Sequence, residues 1–333
     1  MSETADVMND AENDGMMHVP ARNIPVPAYL SDIARGYLAP QPGPLPYPAL
    51  GDKAGWKDYV SAVDEAIAPM LSMISTQIAA QIEEREGDGA HIFEILPESV
   101  DPKSRGIVLD IHGGGLILCG GDLCRIMGMS TAARVQQRVW SIDYRMPPEH
   151  PYPAGLDDCI TAYRALLRER SPAEIVVSGG SAGGNLAAAL ILRARDEGLP
   201  LPAGLILATP EIDLTESGDS FYTNDGVDPG LRSLTPVNLL YADGQDLAHP
   251  YLSPLFGDVA GFPPTLLTTG TRDLYLSNTV RMHRKLRAAN VNAELHVLEA
   301  GPHTSFPGSQ ENEEIDSEIR RFIRTVLGNL SKI

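Results

Sequence analysis

The stretch Gly179-Gly180-Ser181-Ala182-Gly183-Gly184-Asn185 decides how this 333-residue chain is read. Ahead of it, Glu174-Ile175-Val176-Val177-Ser178 is a short β-branched run with the pattern of a buried strand. Behind it, residues 186–192 are rich in strong helix formers. A serine on a strand-to-helix turn, with glycine two residues away on each side, fits a nucleophile elbow. There the backbone is strained so that the hydroxyl is pushed out, and the helix start behind it offers free N–H groups. The plainer alternative is a glycine-rich connection that only packs a helix on a sheet, and with 31 glycines one such stretch arises easily by chance.

Outward from that turn, strand and helix signals alternate. Strands are expected at 91–96, 106–111, 139–143, 205–208, 265–269 and 294–298, and helices at 156–170, 277–289 and 311–327. This alternation specifies an α/β fold with a mostly parallel central sheet, whose ligand site lies at the C-terminal strand ends. Upstream, Val60, Val63, Ile67, Met70, Leu71, Ile74, Ile78 and Ile82 recur at helical spacing and predict a helix from about 53 to 86, kinked or split at Pro69. Residues 210–255 break the rhythm with Pro-, Gly- and Asp-rich turns around one short helix near 236–241, an insertion over the site. Residues 19–49 are crowded with proline, with Gln41-Pro42-Gly43-Pro44 at the extreme, and read as an extended strap. Residues 1–18 are acidic and Met-rich, the composition of a disordered tail. The expected organisation is therefore a tail at 1–18, a strap with cap helices at 19–89, and a catalytic domain at 90–333 carrying the insertion.

Three further signals give Ser181 a chemistry. His112-Gly113-Gly114-Gly115 follows a strand, and the N–H groups of Gly113 and Gly114, with that of Ala182, would form an oxyanion hole. His112, on the oxyanion side, reads as a structural hydrogen-bonding residue. Asp273 follows the strand at 265–269, in the slot of a late-strand acid, with Asp213 as its serious rival. His303, in the loop after the last strand, alone of eight histidines combines such a loop with a position after the acid. The order Ser181, Asp273, His303 then supports nucleophilic acyl transfer: His303 as base, Asp273 holding its tautomer.

On these motifs, together with Asp143-Tyr144-Arg145-Met146-Pro147-Pro148-Glu149-His150, the chain resembles the hormone-sensitive-lipase-like family of α/β-hydrolases, the bacterial esterase family IV or fold-3 group. The resemblance covers roughly residues 90–327. It implies a cofactor-free, metal-free serine carboxylesterase with a cap built from the N-terminal segment and the insertion. It also implies a possible homodimer through strand 294–298. Residues 19–22 and 262–270 resemble a branch of monoterpene ε-lactone hydrolases, so a lactone hydrolase or metabolite deacetylase is the alternative. A non-catalytic receptor on the same fold is the alternative from another class, against which the presence of both Asp273 and His303 argues. The chain departs from the family pattern in ways that bear on the substrate pocket: Leu116 where an aromatic is usual, Gly180 where Asp or Glu is usual, and Thr209-Pro210-Glu211 where Ser-Pro-Trp is usual. Glu211 either places a carboxylate beside the site or is a solvated turn residue, the second reading being favoured.

Composition narrows the partners. Lys+Arg 26 against Asp+Glu 44 gives a net charge of −18, which argues against nucleic acid or an anionic membrane. Cys119, Cys124 and Cys159 match neither a disulfide framework nor a zinc spacing. With no basic and apolar leader at Met1–Asp6 and no long apolar run, a cytoplasmic location and a small ester or lactone substrate are expected.

Overall fold

The computed structural model describes residues 17, 19–39, 44–87 and 89–328. The expected tail at 1–18, apart from Met17, and the Gln41-Pro42-Gly43 part of the strap lie outside the described residues. Among the described residues, eight strands form one sheet: β1 (Ala80–Gly87), β2 (Ala90–Pro97), β3 (Ile107–Ile111), β4 (Arg138–Asp143), β5 (Ile175–Gly180), β6 (Gly204–Ala208), β7 (Thr265–Gly270) and β8 (Ala293–Leu298). Their order is β1-β2-β4-β3-β5-β6-β7-β8, antiparallel for the first two pairings and parallel from β4 to β8.

The central strands β3, β5 and β6 are largely apolar on both faces because both are covered. Ile107, Leu109 and Ile111 of β3, Ile175 and Val177 of β5, and Leu205 and Leu207 of β6 share one core with helices Ala154–Glu169, Ala182–Asp196 and Leu276–Ala288. Val108, Val176, Ile206 and Leu266, one residue out of phase, share the other core with helices Asp122–Val135 and Gln310–Val326. A one-residue slip of any of these strands would exchange the two sets, so register is fixed by packing on both sides.

Two expectations upstream are corrected. The helix predicted over 53–86 ends at Ser75, and β1 occupies its last third. Ile78, Ala80 and Ile82 alternate at period two and are half-buried against the core, with Ile82 opposite Ile95; Ile78 and Ile82 alone also satisfy helical spacing, which produced the wrong period. Pro69 does not split the helix Lys53–Ser75. Both Pro69 and Glu65, whose carbonyl loses its partner, are exposed, so the freed group lies on the solvent side of the helix. The helix Asp122–Val135 was not anticipated. Its buried residues, Leu123, Cys124, Ile126, Gly128, Met129, Ala132 and Val135, lie around most of its circumference, leaving little amphipathic signal.

The N-terminal segment and the insertion meet above the strand ends. Trp56, fully buried, packs with Ile117 of the glycine loop and Val237 of the insertion helix Thr235–Ala242. Tyr47 stacks on Trp56, donates to the Ser233 carbonyl at 3.1 Å, and lies under the Arg232 guanidinium at 3.8 Å. Further upstream, the short helix Asp32–Tyr37 packs Ala34 against Phe306, and Ser31 hydrogen-bonds the Glu311 carboxylate. No described helix is long and apolar enough to cross a membrane. Truncating Trp56 to alanine is expected to cost about 3–5 kcal/mol in urea unfolding, whereas Met70→Ala, on the exposed face of the same helix, should stay within about 0.5 kcal/mol. A Trp56→Ala variant as stable as the parent would contradict this packing.

Candidate active site

The sheet delivers four loops to one end. Gly113 comes two residues after β3, Ser181 directly after β5, Asp273 three after β7 and His303 five after β8. Ser181 has φ 54° and ψ −124°, a left-handed backbone that a residue with a side chain adopts only where its surroundings enforce it. What enforces it is backbone on backbone. The Ser181 N–H donates to the Ala208 carbonyl of β6 at 2.9 Å, and the Ser181 carbonyl accepts from Gly184 and Glu211. A Cβ on Gly179 would overlap the Gly183 carbonyl, and one on Gly183 would overlap that of Ile111, so the turn closes only with glycine at both. Gly180 differs: the space at its Cβ is open to ordinary contact distance, 3.7 Å from the nearest atom. The departure at Gly180 is thus not demanded by sterics.

Ser181, His303 and Asp273 form one hydrogen-bonded chain. His303 Nε2 stands 2.9 Å from Ser181 Oγ, and His303 Nδ1 stands 3.0 Å from Asp273 Oδ1. The carboxylate can only accept, so Nδ1 carries the proton and Nε2 is left to accept from the serine hydroxyl. Asp273 is fully buried and held by Tyr275 N–H at 2.9 Å and Thr269 Oγ at 2.7 Å. The Tyr275 ring meets the His303 imidazole edge-on at 4.8 Å. Burial works to lower the His303 pKa, but Asp273, by charge and hydrogen bond, then Asp228 and Glu211, outweigh it and leave it raised.

Gly113 lies against the elbow: a Cβ there would sit 3.3 Å from Ser181 Cβ. Gly114 has φ +121°, which only glycine takes without strain. Among the described residues, no protein acceptor is recorded for the N–H groups of Gly113, Gly114 and Ala182. His112 behaves as the sequence implies. Its Nδ1 donates to the Gly113 carbonyl at 2.7 Å, its ring stacks on Tyr144 at 4.2 Å, and burial lowers its pKa to about 4.

Asp213, the rival acid, is engaged elsewhere. It accepts from the Thr215 and Ser217 hydroxyls and from Arg281 at 2.8 Å. Of the three pocket departures, Gly180 and Glu211 border Ser181, while Leu116 is fully buried in the main core. The solvated reading of Glu211 is corrected: it is 1% exposed, because its N–H is tied to the Ser181 carbonyl and its own carbonyl accepts from Asn185 at 2.8 Å. Burial pushes its carboxyl up to about 8, so the protonated acid prevails at neutral pH. All three cysteines are buried and unpaired. Donor atoms of His112, Cys124 and Asp143 lie within 4.8 Å of one another. Asp143 already accepts from Gly121 N–H and faces His91, and burial pushes the Cys124 thiol well above its ordinary range, so these side chains read as core packing.

Sequence reasoning missed one residue of this site. Asp228, from the insertion, accepts at one oxygen from the N–H groups of both Leu274 (3.1 Å) and His303 (2.9 Å). Its local signal was only that of an Asp-Pro-Gly turn.

A family model described as alpha/beta hydrolase fold matches residues 108–307. Among curated proteins, an esterase of Acinetobacter venetianus is 36% identical over 199 residues, covering 57% of this chain and 64% of that protein. An acetyl-hydrolase of Streptomyces hygroscopicus is 33% identical over 202 residues, covering 60% and 64%. The chain thus spans a little under two thirds of the length of these curated relatives. Among solved structures, the esterase E25 superposes with a TM-score of 0.88 at 35% identity over 94% of this chain and 99% of that one. An esterase from the bacterial hormone-sensitive lipase family superposes with 0.72 at 28% identity, over 89% and 96%. This chain belongs to the α/β-hydrolase fold family, among the bacterial hormone-sensitive-lipase-like members.

Proposed function

We propose that this protein is a serine carboxylesterase that hydrolyses short-chain acyl esters through an acyl-enzyme on Ser181. The observation that carries this reading is the unbroken relay from buried Asp273 through His303 to Ser181 Oγ on the strained turn. The relatives named esterase and acetyl-hydrolase support the same class of bond. In the first half-reaction His303 Nε2 takes the Ser181 proton as Oγ attacks the ester carbonyl. Gly113, Gly114 and Ala182 N–H groups receive the oxyanion, and His303 returns the proton to the departing alcohol. Water, deprotonated by the same imidazole, then releases the acid and restores Ser181. Asp273 keeps Nδ1 protonated and stabilises the imidazolium that forms at each transfer. These steps need no metal or cofactor.

The cluster of Trp56, Ile117 and Val237 ties the N-terminal segment and the insertion to the oxyanion loop, and we assign these segments as the cap. A cap anchored there limits the length of acyl or alcohol chain, which favours small esters. Gly180 and Glu211, beside Ser181, are assigned to the substrate pocket, whereas Leu116, fully buried, packs into the main core behind the glycine loop and does not line it. Glu211 gives that pocket a protonated carboxyl in place of an indole. A homodimer through β8 is part of the same proposal: among the described residues β8 is the sheet edge, paired with β7 alone, and its Val297 is exposed.

With p-nitrophenyl acetate as substrate, Ser181→Ala is expected to abolish turnover while retaining the wild-type thermal transition; retained turnover would remove Ser181 as nucleophile. Asp273→Asn should lower kcat on the order of 10⁴-fold, and Asp213→Asn should leave it within a few-fold. The reverse pattern would move the acid to Asp213. A panel of acyl esters against ε- and γ-lactones separates the esterase reading, which expects faster ester turnover, from the lactonase alternative.

A further inference from the structure

We propose that Asp228 is a positioning residue, through which the insertion holds the acid loop and the base loop in mutual register. The inference rests on the esterase reading above for its kinetic consequence, and on geometry for the rest. Asp228 Oδ1 accepts from Gly230 N–H at 2.9 Å and Leu231 N–H at 3.2 Å, which is a local turn of no special meaning. Oδ2 does something different. It accepts from Leu274 N–H, next to Asp273, and from His303 N–H, so one oxygen joins two loops 46 and 75 residues away from it. Asp228 is 4% exposed and burial raises its pKa, opposed by the His303 charge and the N–H donors; all four hydrogen-bond partners are donors, which only the ionised form can satisfy in full.

The same segment grips the acid loop twice more. Asn224 donates to the Asp273 carbonyl at 2.8 Å, and Ser220 Oγ donates to the Leu274 carbonyl at 2.6 Å. None of these residues touches the Ser181 hydroxyl. Their effect is indirect: they fix the separation between the Asp273 carboxylate and the His303 ring. A displacement of about 1 Å in such a relay can cost about 10²-fold in rate.

The Asp228 charge has a second, separable consequence. The groups bearing on the His303 imidazole are Asp273 from the acid loop, Asp228 from the insertion, Glu211 from the turn after β6, Tyr275 against the ring, and Ser181. Asp228 adds a negative charge that favours the imidazolium. His303 must be neutral to act as base, so this charge moves the acid limb of kcat/KM to higher pH. Neutralising Asp228 moves that limb to lower pH.

The test compares full-length wild type, Asp228→Asn and Asp228→Ala, with thermal transitions recorded for each. Rates of p-nitrophenyl acetate hydrolysis are followed over about pH 5–9, and the His303 imidazole is titrated by NMR. Asp228→Asn keeps one carbonyl oxygen and should fold even where Asp228→Ala does not. The expected result for Asp228→Asn is a kcat loss of about 10- to 100-fold, KM within a few-fold, and both the acid limb and the NMR titration of His303 displaced to lower pH. A folded Asp228→Asn variant whose kcat and His303 titration match wild type would overturn the proposal. So would a kcat loss with an unmoved titration, which marks a merely structural turn. A wild type without ester hydrolysis would defeat the esterase reading instead, and the NMR titration would still decide on Asp228.

Discussion

The backbone of Ser181 is the constraint on which the rest depends. Holding a serine in the left-handed region costs about 1–3 kcal/mol, and it persists only because the turn is locked on every side. The β6 carbonyl of Ala208 takes its N–H, Glu211 and Gly184 take its carbonyl, and Gly179 and Gly183 leave no room for the loop to relax. The flanking structure explains why this is sustainable. β5 is central in the sheet and buried on both faces, and the helix Ala182–Asp196 is buried along most of its length. The strained residue is thus embedded between a buried strand and a buried helix. Its side chain is displaced out of that core toward His303, and the first N–H of the following helix is left without an acceptor beside it.

A second theme is division of labour between rigid strands and adjustable loops. Ser181 and the pair Gly113 and Gly114 follow the adjacent strands β5 and β3, so their relation is set by sheet register. Asp273 and His303 sit further out, three and five residues past their strands, where loops alone would leave them loosely placed. The insertion supplies the missing constraint through Ser220, Asn224 and Asp228, whose hydrogen bonds end on the acid and base loops. Carboxyl groups at three depths then set the electrostatics. Asp273 contacts the imidazole, Asp228 acts from behind its backbone, and Glu211 is pushed toward its neutral form by burial. A fully ionised Glu211 would add a third negative charge near His303 and favour the imidazolium, which cannot accept the serine proton.

Much of this was readable from the chain. Ser181 and Asp273 follow β-branched and apolar runs with the pattern of buried strands, His303 follows the half-exposed alternating run of β8, and in parallel topology the ends of such strands converge. Gly113 and Gly114 were legible because a His-led glycine run directly follows β3. What stayed hidden has physical causes. Ile78 and Ile82 satisfy both helix and strand periods, so their spacing alone does not distinguish β1 from a helix. The helix Asp122–Val135 is buried around most of its circumference and so lacks an amphipathic stripe. Asp228 sits in an Asp-Pro-Gly turn whose local sequence carries no trace of the two distant N–H groups it binds. The burial of Glu211 likewise follows from its contacts with Ser181 and Asn185, neither of which its neighbours announce.

The claim that Ser181 is an activated nucleophile is tested most directly by intact-protein mass spectrometry after exposure to a fluorophosphonate, followed by peptide mapping. The account predicts a single adduct on the peptide containing Ser181, absent in His303→Ala. No adduct, or an adduct on another residue, would contradict it.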